Sequence, residues 1–123
     1  MIDLYFWMTD NGYKARHMME ESGLDYHIKP VDLTKKEQFN PEYLKISPHH
    51  KIPAIVDHDG PSGKKVALCE SGAILKYVSS KMEKPLYPSD ELSQLKVDQW
   101  LFFGSAQFTT IAQQYGFFMI RSL

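Results

Sequence analysis

The chain has 123 residues and a formal net charge of −1, from 14 basic and 15 acidic residues. This length is enough for one buried core, and the balanced charge gives no basis for binding nucleic acid or an anionic membrane surface. The single cysteine, Cys69, excludes an internal disulfide and a zinc site built from cysteines, so we expect no metal and a reducing, cytoplasmic location.

The first predicted elements follow the order strand, helix, strand. Residues Ile2 to Trp7 are apolar and aromatic and predict a buried strand, without the pattern of a signal peptide. The segment 9–12 contains turn and cap residues, and a helix is predicted from about Gly12 to Ser22. An alternating pattern from Tyr26 to Val31 predicts the second strand.

A polar excursion separates these elements from a predicted hairpin. Residues 35–48 are mostly polar, and they predict a loop with a short helix near 41–46. The third strand is predicted at Ala54–Asp57. A tight reversal at residues 59–63 then leads to an antiparallel return strand at Lys65–Cys69.

Two helices complete the predicted chain. One runs from Glu70 to about Lys81, and a long helix runs from Asp90 to about Ile120, capped by Ser89 or Asp90. The resulting order, β-α-β-α-β-β-α followed by one long helix, predicts an α/β domain of thioredoxin type. The predicted boundaries are residues 1–81 for this domain, 82–89 for a linker and 90–123 for the first helix of a helical domain.

Pro53 is the first candidate site residue, because it begins a strand directly after a loop. A cis bond before Pro53 would aim the N–H and C=O groups of Ile52 into a cleft, where a peptide can pair with them as an added strand. The alternative is a trans proline that only begins a strand.

Glu70 and Ser71 begin a predicted helix, where free N–H groups and the helix dipole favour an anion. The Ser71 hydroxyl adds a donor, and Glu70 can accept from an ammonium group. The pair therefore suits the head of an α-amino acid, and the alternative is an ordinary helix cap. Gln38 and Lys51 are polar loop residues that can reach a second carboxylate.

Thr9 and Asn11 lie in the turn between the first strand and the first helix. A hydroxyl or amide donor at a helix start stabilises a thiolate, and the alternative is N-capping. This turn contains no cysteine, so sulfur chemistry there requires a thiol from a substrate. Cys69 lies at the end of a strand, and we expect it to point into the core as a small apolar side chain.

Several motifs together resemble glutathione transferases, with the strongest resemblance to bacterial Nu-class enzymes and to yeast prion-type relatives. The similarity extends from Ile2 to about Phe103. The motifs are Thr9-Asp10-Asn11-Gly12, Gln38-Phe39-Asn40-Pro41-Glu42, Ile46-Ser47-Pro48, Lys51-Ile52-Pro53-Ala54-Ile55-Val56-Asp57 and Glu70-Ser71-Gly72-Ala73-Ile74.

The resemblance implies a glutathione site with a role for each residue. Pro53 would be the cis-proline, and the Ile52 backbone would pair with the cysteinyl part of glutathione. Glu70 and Ser71 would hold the γ-glutamyl head. The glycyl carboxylate would be held by Gln38, with Lys51.

Thr9 and Asn11 would lie beside the sulfur as the catalytic residues, with Asn11 also contacting glutathione. In Nu-class relatives this arrangement accompanies glutathione-dependent disulfide reduction. The second substrate would be a small electrophile or a disulfide.

This chain also departs from the family pattern. Family members carry an all-helical second domain of several helices, whereas this sequence stops within the first, so we expect a truncated helical domain. Asp10 stands where relatives often have proline, and a carboxylate beside the sulfur would oppose thiolate formation. We therefore keep two hypotheses, a glutathione-dependent enzyme and a non-catalytic interaction module or fragment with the same fold.

The segment from Gln99 to Ile120 has no charged residue and many aromatic ones. Its length suits a membrane span, but its glutamine, serine and threonine residues make it too polar. Apolar residues cover more than one face of the helix, so we expect burial against another protein surface. We predict a homodimer formed through this helix.

Overall fold

The structure, a computed structural model, describes residues 1–121, with side chains described through Met119. By its internal contacts the chain divides into two units, Met1–Leu86 and a second unit that begins at Tyr87. This division falls within residues 82–89, the predicted linker. The predicted helical domain at 90–123 includes residues 122–123, which lie outside the described residues.

A mixed four-stranded sheet with the order β2-β1-β3-β4 forms the centre of the first unit. The strands are β1 (Ile2–Phe6), β2 (Tyr26–Pro30), β3 (Ala54–Asp57) and β4 (Val66–Cys69). Strand β1 is parallel to β2 and antiparallel to β3, and β3 is antiparallel to β4. The predicted thioredoxin-like arrangement, including the hairpin of β3 and β4, is confirmed.

The helices of the first unit are α1 (Asp10–Ser22), α2 (Pro41–Leu44) and α3 (Ser71–Ser80). Two short 3₁₀ turns, Leu33–Lys35 and Glu37–Phe39, precede α2 in the segment that was predicted to be mostly loop. Asn40 caps α2 by accepting a hydrogen bond from the Glu42 N–H.

The prediction that α1 begins near Gly12 was wrong by two residues. Thr9 caps the helix by accepting the Gly12 N–H at 3.1 Å, so Asp10 and Asn11 already belong to the first turn. Gly12 is buried, and a Cβ there would lie 2.2 Å from the Trp7 carbonyl oxygen. A glycine is therefore required where the helix passes this close to the end of β1.

Two groups of buried side chains cover the two faces of the sheet. The larger group joins β1 and β3 to α1 and α3: Ile2, Leu4, Phe6, Ala15, Met18, Met19, Ile55, Ile74 and Val78. The smaller group consists of Val31, Tyr43 and Ala54, and Cys69 packs against it half-buried. Cys69 is therefore less buried than the sequence pattern predicted.

A buried carboxylate connects the hairpin to the end of α3. Asp57 is fully buried, and it accepts hydrogen bonds from Lys81 Nζ at 2.6 Å and from the Tyr77 hydroxyl at 2.7 Å. Burial raises the pKa of the Asp57 carboxyl, but the bonds from Lys81 and Tyr77 outweigh it and lower this pKa to about 2.

The second unit is helical from Glu91 to Arg121. It contains α4 (Glu91–Phe102), a π-helical segment at Phe103–Phe108, α5 (Thr109–Gly116) and a second π-helical segment at Phe117–Arg121. Asp90 caps α4 by accepting the Ser93 N–H at 2.9 Å, as one of the two predicted caps.

The π-helical segments correct the prediction of one regular helix. At the end of the first segment, the Thr109 N–H and hydroxyl both donate to the Gly104 carbonyl, five residues earlier. The Ser105 hydroxyl donates to the Leu101 carbonyl at 2.6 Å. Hydroxyl groups that bond to the backbone in this way help the helix to accommodate a wider turn.

Large apolar side chains of the second unit are strongly exposed. Trp100, Phe102 and Phe108 expose 66%, 68% and 65% of their surface, and Ile111 and Tyr115 expose similar fractions. Within the described residues, no helix combines the length and apolar character that crossing a bilayer requires. The exposed side chains therefore form an apolar surface that the described residues of this unit do not cover.

Candidate functional site

The strand register brings three predicted site segments to one edge of the sheet. Tyr5 of β1 lies opposite Ala54, and Ala54 lies opposite Cys69. The turn that follows β1, the loop that enters β3 and the turn that follows β4 therefore leave the sheet side by side. These three segments contain Thr9, Pro53 and Glu70, respectively.

The turn after β1 contains Thr9 and Asn11. Thr9 Oγ1 accepts the Gly12 N–H, so the capping role that the sequence left open is present. A hydroxyl that accepts one bond still has its own hydrogen to donate, so capping does not prevent Thr9 from donating to a ligand. Asn11 Oδ1 accepts a hydrogen bond from Lys14 Nζ at 3.0 Å, which holds the amide at the start of α1.

The loop that enters β3 contains the Ile52–Pro53 peptide bond, which is cis, as the resemblance implied. Pro53 is buried, Ile52 is half-buried and Lys51 is exposed. The Lys51 carbonyl accepts hydrogen bonds from the Tyr43 hydroxyl at 2.6 Å and from the Ser47 hydroxyl at 2.8 Å.

Sequence analysis missed Tyr43 and Ser47. Burial raises the pKa of the Tyr43 hydroxyl to about 12, so this group remains a neutral donor at physiological pH. The sequence carries no signal for such bonds, because they join side chains to a backbone group across a loop.

The turn after β4 places Glu70 as the N-cap of α3 and Ser71 as its first residue. Glu70 has a φ of 75° and a ψ of 112°, and its side chain makes no capping hydrogen bond. Glu70 therefore occupies the N-cap position, but its side chain does not cap the helix. The exposed carboxylate of Glu70 and the half-buried hydroxyl of Ser71 remain beside the first turn of α3.

Gln38 lies in the second 3₁₀ turn. Its Oε1 atom is buried and accepts no hydrogen bond from the described residues. Phe39 follows Gln38 and His50 precedes Lys51, and their rings are in tilted contact with centroids 4.9 Å apart. This contact connects the two segments that carry the predicted partners of a second carboxylate.

The combined donors and acceptors fit a small zwitterionic peptide. The first unit contains a helix start that favours an anion, at α3, and the exposed carboxylate of Glu70 beside it. It also contains the backbone of Ile52, which can pair like a strand, and the amide of Gln38, whose oxygen has no partner among the residues that the structure describes. The described residues contain no group of three histidine, cysteine, aspartate or glutamate side chains arranged to hold a metal ion.

Comparison with known proteins identifies the family. Residues 2–80 match the family profile described as glutathione S-transferase, N-terminal domain. The chain belongs to the glutathione S-transferase family. The resemblance inferred from the Ile-Pro and Glu-Ser motifs is thereby confirmed.

Two curated relatives show how much of a glutathione S-transferase this chain spans. The disulfide-bond oxidoreductase YfcG of Escherichia coli is 50% identical over 105 residues, which make up 84% of this chain and 48% of that protein. Protein URE2 of Candida glabrata is 36% identical over 98 residues, or 76% of this chain and 27% of that protein. The chain thus spans less than half the length of either relative.

Solved glutathione transferase structures are similar to this chain over most of its length. A family member from Pseudomonas fluorescens, solved with two glutathione bound, has a TM-score of 0.91 and 40% identity, covering 95% of this chain and 51% of that one. A glutathione transferase from Pseudomonas putida, with one glutathione disulfide bound per subunit, has a TM-score of 0.92 and 38% identity, covering 97% and 51%.

Proposed function

We propose that this chain binds glutathione at the edge of the sheet formed by the turns after β1 and β4 and the loop before β3. In this proposal, Glu70 and Ser71 hold the γ-glutamyl head and the Ile52 backbone pairs with the cysteinyl part. Gln38 and Lys51 hold the glycyl end. The known structures with glutathione or glutathione disulfide support the proposal, because they share this fold at about 40% identity.

The observation that carries the proposal is the start of α3. The side chain of Glu70 is exposed and caps nothing, so the first N–H groups of the helix are not satisfied by their own cap residue. A ligand carboxylate would accept from those groups, and a neighbouring ligand ammonium would pair with Glu70. Both charges occur on the γ-glutamyl head of glutathione.

We further propose that the activity is glutathione-dependent disulfide reduction or thiol transfer. The chemistry supplied by bound glutathione is thiol–disulfide exchange, since the turn after β1 contains no cysteine. The Thr9 hydroxyl and the Asn11 amide would donate to the sulfur and hold it near the start of α1. The 50% identity to a disulfide-bond oxidoreductase supports this reaction class.

The rival proposal is a module that binds glutathione without turnover. Asp10 favours it, because this carboxylate lies in the first turn of α1 between Thr9 and Asn11. A negative charge beside the sulfur would raise the pKa of a bound thiol and lower the fraction of thiolate.

We also propose that a second copy of the chain covers the apolar surface of α4 and α5. Trp100, Phe102 and Phe108 would contribute rigid aromatic contact area to that interface. Light scattering at micromolar concentration is expected to give twice the mass of one chain. A stable monomer under these conditions would contradict this arrangement.

Calorimetric titration with reduced and with oxidised glutathione, beside a disulfide-reductase assay, tests the proposed function. Binding with turnover supports the enzyme, and binding without turnover supports the rival module. The absence of binding to both forms would refute the glutathione site.

A further inference from the structure

The carbonyl of Lys51 is held by two buried hydroxyl groups. The Tyr43 hydroxyl donates to it at 2.6 Å and the Ser47 hydroxyl at 2.8 Å. Tyr43 exposes 5% of its surface and Ser47 exposes none. The Ser47 N–H also donates to the Tyr43 carbonyl at 2.9 Å, so the two donors are fixed relative to each other.

This carbonyl determines the direction of the next amide group. The peptide bond between Lys51 and Ile52 is trans, so its C=O and N–H groups point in opposite directions. The Lys51 C=O points toward Tyr43 and Ser47, and the Ile52 N–H therefore points away from them. The Ile52 N–H finds no hydrogen-bond acceptor among residues 1–121.

A rotation of this peptide unit would be costly. The carbonyl oxygen has two lone pairs, and the two hydroxyl groups occupy both. A rotated peptide would leave two buried hydroxyl groups without an acceptor. The preceding residue, His50, also constrains the segment, because its N–H donates to the Ser47 carbonyl at 2.9 Å.

We propose that Tyr43 and Ser47 are positioning residues, which hold the Ile52 N–H outward for the backbone carbonyl of an extended peptide ligand. The inference rests on the proposed function in one respect, that this ligand is glutathione. Neither residue contacts the ligand in this role. They act through the single peptide unit between Lys51 and Ile52.

The test compares hydroxyl deletions with matched controls in the full chain. Tyr43→Phe, Ser47→Ala and the double variant remove the two donors. Tyr26→Phe and Ser80→Ala are the controls, because each also removes one hydroxyl donor, to Glu20 and to the Tyr77 carbonyl respectively. Ser47→Thr keeps a hydroxyl and is the conservative rescue.

Two measurements are made on each variant that circular dichroism shows to be folded. By calorimetry, the glutathione Kd of the double variant is expected to be about tenfold higher than that of wild type, which is the scale of one net hydrogen bond. The Kd of each single variant is expected to be about threefold higher. The controls and Ser47→Thr are expected within about twofold of wild type. In addition, ¹⁵N relaxation of the ligand-free protein is expected to show an ordered Ile52 amide in wild type and a mobile one in the double variant.

The outcomes separate the two proposals. An unchanged Kd together with an ordered Ile52 amide in the double variant overturns the positioning role. If wild type binds no glutathione, the proposed function fails, and the Ile52 relaxation data alone decide the positioning role. If the double variant does not fold, the two single variants decide it by the same criteria.

Discussion

The Lys81 ammonium lies 2.6 Å from the buried carboxylate of Asp57, and it also donates to the Asp59 carbonyl at 2.5 Å. These two hydrogen bonds connect the C-terminal end of α3 to the turn between β3 and β4. This turn lies at the opposite end of the hairpin from the Glu70 turn. The contact therefore stabilises the first unit at a place away from the candidate site.

Replacing Lys81 with methionine should destabilise the first unit by roughly 2–3 kcal/mol, because the buried Asp57 carboxylate loses its charged partner. This effect is smaller than the roughly 3–5 kcal/mol expected for a fully buried pair, because 28% of the Lys81 side chain is exposed. Urea unfolding measures this change. The control is Lys45→Met, which removes an exposed pair with Glu42 and should cost less than about 1 kcal/mol. Equal effects of the two variants would contradict this assignment.

Stability should also depend on pH through Asp57. Its pKa is about 2 in the folded chain, below the ordinary value of 3.8. The stabilisation is therefore complete above the unfolded pKa and is lost as the pH falls from about 5 toward 2. It amounts to roughly 2–3 kcal/mol. Between pH 7 and pH 3, urea unfolding of wild type should show a loss of about 1 kcal/mol, since pH 3 lies between the folded and unfolded pKa values. An equally steep pH dependence in Asp57→Asn would assign the effect to other carboxylates.

Glu70→Gly should separate stability from ligand binding. Glu70 has a φ of 75°, which strains residues with a side chain, so glycine should raise stability by up to about 1 kcal/mol. At the same time, glutathione affinity should fall, because the partner of the ligand ammonium is lost. Ser62→Gly is the matched control, since Ser62 has a φ of 59° in an exposed turn and should change stability alone. A Glu70→Gly protein with wild-type affinity would remove Glu70 from the site.

Ser71→Ala should weaken glutathione binding by roughly 1–2 kcal/mol, the scale of a hydrogen bond to a charged group. Calorimetric titration gives the change in Kd. Ser80→Ala, at the other end of α3, is expected to leave the affinity unchanged. If both variants bind like wild type, Ser71 does not hold the ligand carboxylate.

Thr9→Ala should lower disulfide-reductase turnover by about tenfold or more, because one hydrogen bond to the thiolate is lost. The glutathione Kd should change little. Loss of the cap on α1 should also cost about 1 kcal/mol of stability, which makes thermal unfolding a necessary companion measurement. Thr9→Ser keeps both hydrogen bonds and should retain turnover. An unchanged rate in Thr9→Ala would exclude Thr9 from the chemistry.

Local patterns in the sequence were sufficient for most of the fold. Alternation and turn residues located β3 and β4, and Asp90 was one of two predicted caps for α4. The π-helical segment at Phe103–Phe108 could not be predicted, because six residues are too few to distinguish a wider turn from the regular period of 3.6. The long-range pair of Asp57 and Lys81 was also missed, since such contacts depend on packing between elements.

The candidate site shows the same division between local and long-range information. Pro53, Glu70 and Ser71 were found because each lies at the end of a predictable strand or helix. Tyr43 and Ser47 were not found, because their role depends on the path of the backbone near Lys51. The two residues themselves look like an ordinary aromatic and an ordinary loop serine in the sequence.

The division of the chain after Leu86 also separates its two tryptophans. Trp7 is half-buried and belongs to the first unit, whereas Trp100 belongs to the second and exposes 66% of its surface. Each unit therefore contains its own intrinsic fluorophore. Emission from a Trp100→Phe protein would report on the first unit alone, and emission from a Trp7→Phe protein on the second, without an attached dye.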